Sequence, residues 1–86
     1  MTNEKYKYDI RQIDAWNSPD GWYWNASYHI GTMETRSEDH RRALRHWLEA
    51  RDITFSVSTS CEDDGEILTI YSRKTGEPLL AAIPMF

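Results

Sequence analysis

Only one cysteine, Cys61, occurs in the chain. That excludes an internal disulfide framework, and such sparing use of cysteine fits a reducing compartment. Long hydrophobic runs are missing as well. The longest, "PLLAAIPMF" at residues 78–86, falls far short of the roughly 20 residues a membrane-spanning helix needs. The opening "MTNEKYKYDIRQ" holds no apolar core of a secretory signal. The expected setting is therefore soluble and cytoplasmic, with no membrane partner, and the match of "NAS" at 25–27 to a glycosylation pattern is coincidental.

Metal-binding spacings are absent. There is no C-x-x-C and no H-x-x-x-H. His40 and His46 are six apart, so a helix turns them to different faces, while His29 and Cys61 take opposite strand parities. The acidic stretch "CEDDGE" lacks the alternating ligand spacing of a calcium loop and reads as a hairpin tip. With only four glycines, no phosphate-cradling loop can be assembled. Paired carboxylates such as Asp9 and Asp14 can be named in any acidic protein, and Cys61 has the inward parity at which thiols are inert. No catalytic residue, cofactor or metal is expected.

Charge is balanced toward acid, with 14 acidic against 10 basic residues and a formal net charge of −4. This disfavours non-specific binding to nucleic acid or anionic membrane. Eighty-six residues allow a single domain over 1–86, and ordering so short a chain costs roughly 1.5 kcal/mol per residue. Large side chains are one way for so small a core to gain burial.

Those side chains are present. "WNSPDGWYWNASYHIG", residues 16–31, holds three of the four tryptophans and two of the five tyrosines. Trp22, Trp24, Ala26, Tyr28 and Ile30 share one strand parity, which places them inward, beneath a helix that also carries Trp47. Tyr23, Asn25, Ser27 and His29 take the other parity, and Trp16 sits beside the turn at "NSPDG". Upstream, Tyr6, Tyr8 and Ile10 are out of phase with Ile13 and Ala15, so a β-bulge is expected near Arg11–Gln12.

Ser37 is a good N-cap for the segment 37–52, whose Ala43, Leu44, Trp47 and Leu48 form one apolar stripe. Residues 54–61 alternate as a strand, Asp64–Gly65 marks a tight turn, and 67–74 form another strand with Leu68 and Ile70 inward. "KTGEP" is a further turn. A last strand over 79–83 is bracketed by Pro78 and Pro84, which suits an edge. The fold class is α+β: two layers, one α-helix packed on one face of a mostly antiparallel sheet of four to five strands.

Two binding surfaces emerge. The uncovered sheet face presents Tyr23, Asn25, His29, Tyr71 and Arg73, a mixture suited to a protein partner or a homodimer. The helix carries Arg41, Arg42 and Arg45, flanked by Arg36 and Arg51, which with Trp16 as a stacking group could meet nucleic acid. Glu38 lies four before Arg42 and Arg45 four before Glu49, so that stripe is largely self-neutralised. The favoured expectation is a non-catalytic protein-binding or self-associating module. Nucleic-acid binding is the alternative.

Overall fold

The computed structural model describes residues 5–85. The elements run β1 (Tyr6–Ser18), β2 (Gly21–Thr35), α1 (His40–Ala50), β3 (Thr59–Asp64), β4 (Ile67–Ser72) and β5 (Pro78–Pro84). The five strands form one sheet in the order β2-β1-β5-β4-β3, and every neighbouring pair is antiparallel. One helix lies on one face, as expected. β5, expected at an edge, is instead the central strand. Its two prolines sit at its first and last positions, leaving the residues between them free to donate into ladders on both sides.

The core forms between α1 and the near half of the sheet. Leu44 and Leu48 meet Tyr8, Ile10, Met33, Cys61, Leu68, Ile70, Leu80 and Ala82, with Ala43, Trp47, Ile53 and Phe55 packed at its margin. The apolar stripe of the helix is thus the one its spacing predicts. Its N-cap is Asp39 rather than Ser37: the Asp39 carboxylate accepts from the Arg42 N–H at 3.1 Å, while the Ser37 hydroxyl accepts from the Asp39 N–H at 3.1 Å. Asp39 can reach the third N–H after it, and the serine supports the approach.

Residues 53–58 are irregular, so the strand expected over 54–61 begins only at Thr59. Phe55 reaches the core margin, but Val57 is exposed. The next turn is centred one residue later than expected. Asp64 pairs with Ile67, which makes Gly65 and Glu66 the central residues, and Gly65 takes φ +80° as the first position of a type II′ turn requires.

The largest departure concerns the tryptophans. The register between β1 and β2 shifts at Ile10/Arg11 and again at Gln12/Ile13, where a bulge was expected. The extra residues, however, are Ile30 and Ser27, both on β2. Directly opposed residues project from the same face. Gly31 and Met33 oppose Ile10 and Tyr8 and face the helix; beyond the shifts, Trp24 and Ala26 oppose Ala15 and Ile13 and face away. Trp22 and Trp24 are therefore not beneath the helix. Trp22 lies over the β4–β5 turn, where its indole N–H donates to the Thr75 carbonyl at 3.3 Å and its ring covers Gly76. Of the four indoles, Trp47 alone packs at the margin of the helix-side core.

Candidate functional site

β2 is an edge strand of 15 residues, and among the described residues β1 is its single neighbour. At about 3.3 Å per residue such a strand reaches about 50 Å before twist shortens it, which accounts for the 45 Å long axis of the molecule. β1 pairs with β5 only over Tyr8–Gln12, so the β1–β2 hairpin continues past the five-stranded body as an arm. Its tip is closed by Pro19 and Asp20, with the Ser18 hydroxyl accepting from the Asp20 N–H and donating to the Gly21 carbonyl.

The helix-side face of this arm extends beyond anything α1 covers. Trp16 opposes Tyr23 with the rings stacked, centroids 6.2 Å apart and planes 20° from parallel. Asp14 opposes Asn25 and Gln12 opposes Tyr28. Trp16 is 48 % exposed, Tyr23 47 %, Tyr28 70 % and the bulged Ile30 37 %. Tyr28 and Ile30, expected in the core, are thus surface groups. Tyr28 keeps the helix-side facing expected of it, and it is exposed because α1 does not extend over this part of the arm.

Between α1 and the same strand runs a groove of about 540 Å³, lined among others by Met33, Arg42, Ala43, His46 and Trp47. Trp47 reaches it because Gly31 has no side chain: a Cβ there would lie 2.8 Å from Cζ2 of the indole. The Arg51 guanidinium sits 3.8 Å from the centre of the Trp47 ring, a cation–π contact. The Trp47 Nε1 atom is buried and has no hydrogen-bond partner among the described residues.

The sheet face away from the helix is built differently from the surface expected of it. One row crosses all five strands, His29–Arg11–Ala81–Thr69–Glu62. Asp9 anchors one end, taking the Arg11 Nε–H at 2.6 Å on one carboxylate oxygen and His29 Nδ1 at 2.6 Å on the other. Partial burial pushes the Asp9 carboxyl up, but the hydrogen bonds and charges of Arg11 and His29 outweigh this and hold it below the usual carboxylate range. Ala81 and Thr69 in the middle of the row are buried.

The five residues expected on one binding face are consequently divided. His29 and Tyr71 lie on the face away from the helix, on strands separated by β1 and β5. Tyr23 and Asn25 lie on the helix side of the arm. Arg73 stands in the β4–β5 turn, where its N–H donates to the Ser58 carbonyl at 2.9 Å.

The basic constellation is divided too. Arg41, Arg42 and Arg45 are exposed, but Arg41 and Arg45 act electrostatically on Cys61 of β3, at the opposite edge of the sheet from the arm that carries Trp16. Cys61 itself is buried, and burial pushes its thiol up more than those arginines draw it down. Among the described residues, no group of three or more His, Cys, Asp or Glu side chains could hold a metal ion, and no helix is long and apolar enough to cross a membrane. Compared with known protein families, curated proteins and solved structures, the chain matches none.

Proposed function

We propose that this chain is a non-catalytic protein-binding module that takes an additional strand onto the open edge of β2. The observation that carries the reading is the chemistry of that edge. From Gly21 to Met33, thirteen residues pass without a single Asp, Glu, Lys or Arg, the longest such stretch in the sequence. Edge strands are ordinarily guarded by charge or proline, because their unpaired N–H and C=O groups template further pairing. Here the guards are two bulges, and the strand between and beside them displays aromatic side chains of the kind that anchor interfaces. Strand addition supplies main-chain hydrogen bonds for affinity, and an adjoining groove reads a side chain of the partner. The groove along α1 is placed for that second role.

Amide hydrogen exchange on the free and associated protein tests this. In the free protein, the β2 amides that point away from β1 should exchange quickly, and association should protect that outward set selectively. Protection appearing on α1 instead, with binding to a mixed-sequence oligonucleotide that collapses as salt rises, would replace strand addition with nucleic-acid binding through Arg41, Arg42 and Arg45.

A further inference from the structure

Presupposing strand addition at β2, we propose that the added strand is β2 of a second copy, paired antiparallel about a two-fold axis between Ile30 and Gly31. In this arrangement Tyr28 of each copy enters the other's α1–β2 groove.

Charge is the first argument. Two copies each carry a net charge of −4, so a self-interface is least opposed where like charges do not meet, and Gly21–Met33 is the longest stretch without one. Facing is the second. A strand can add antiparallel only if opposed residues project from the same side of the joined sheet. Tyr28 opposes Gln12 and Met33 opposes Tyr8, which puts both on the helix side; His29 opposes Arg11 and Thr32 opposes Asp9, which puts both on the other. A two-fold axis between Ile30 and Gly31 sets Tyr28 against Met33 and His29 against Thr32, and both pairs match. The bulged Ile30 falls at the axis, where the ladder is interrupted.

Complementarity is the third argument. Tyr28 is the most exposed large side chain on the arm, and Met33 forms the floor of the groove that Ala43, His46 and Trp47 help to line. Because the two-fold is isologous, one such fit makes two. Both helices then lie on the same side of a continuous ten-stranded sheet.

Sedimentation over a wide concentration range, combined with cysteine pairing, tests this on the full chain. The wild type should sediment as a dimer that dissociates on dilution. Tyr28→Ala should weaken dimerisation at least about a hundredfold, because one substitution removes the anchor from both contacts. Its melting temperature, measured where the wild type is monomeric, should be unchanged. A double variant, His29→Cys with Thr32→Cys, should form a covalent dimer on mild oxidation while neither single variant does. Three positions along one strand span about 10 Å, too far for a disulfide within a chain, and in the proposed register each cysteine faces the other position of the partner copy. A dimer that survives Tyr28→Ala, or cysteines that do not link, would overturn the arrangement. A wild type that stays monomeric overturns self-pairing outright. If that monomer still shows selective protection of outward β2 amides with a different protein, strand addition stands without the second copy; if no association of any kind protects them, both fall.

Discussion

Asp9 shows how a single residue divides its capacity. One carboxylate oxygen serves Arg11 on its own strand and the other serves His29 across the ladder, and Arg11 also reaches the Ser27 carbonyl at 3.2 Å, beside one bulge. The cluster thus ties the irregular part of β2 to β1. Asp9→Asn should destabilise the fold by about 1 kcal/mol at neutral pH, a modest amount because Arg11 and His29 are partly open to water. The pH dependence has a definite sign. The folded carboxyl has the lower pKa, so the contribution is fully present above the unfolded value of about 3.9 and is lost as pH falls through the lower folded value. Denaturant titrations of both proteins across that range should show the difference closing in acid.

At the scale of elements, Trp47 on Gly31 holds α1 to the edge strand beside the packing of Leu44 and Leu48 on Met33. A methyl at position 31 would stand 2.8 Å from the indole, and backbone and ring must then separate. Gly31→Ala should cost about 1–3 kcal/mol. In a domain of this size that lowers the melting temperature by about 4 °C or more, and thermal unfolding followed by Trp fluorescence would read it directly. The helix stripe, the Gly-marked turns and the inward set Leu68 and Ile70 were legible in the sequence, because period and turn chemistry are local properties. The exposure of Tyr28 and Ile30 was not, because they lie past the part of the strand that α1 covers, and neither was the facing of Trp22 and Trp24. Each extra residue in a strand reverses the facing of everything beyond it, and the phase change in β1 does not say which strand holds the insertion. The candidate site was affected in part: the uncharged stretch 21–33 could be read and Tyr28 turns to the helix side as its parity suggests, but Tyr23 turns there too, against its parity.

At the scale of the molecule, the arrangement depends on β5. It joins the β1–β2 hairpin to the β3–β4 hairpin, and among the described residues no other strand pairs across that divide. Ala81, fully buried at its centre, opposes Arg11 on one side and Thr69 on the other. Ala81→Pro should therefore abolish cooperative folding, although Pro78 and Pro84 are tolerated at the ends of the same strand. Circular dichroism would show loss of the native transition rather than a shifted one. The same centrality has a consequence during synthesis. Both hairpins and the helix emerge from the ribosome before residues 78–84 do, so for that interval the nascent chain carries two half-sheets, each with an unoccupied inner edge. The sheet closes only when its middle strand, made after the other four, is delivered between them.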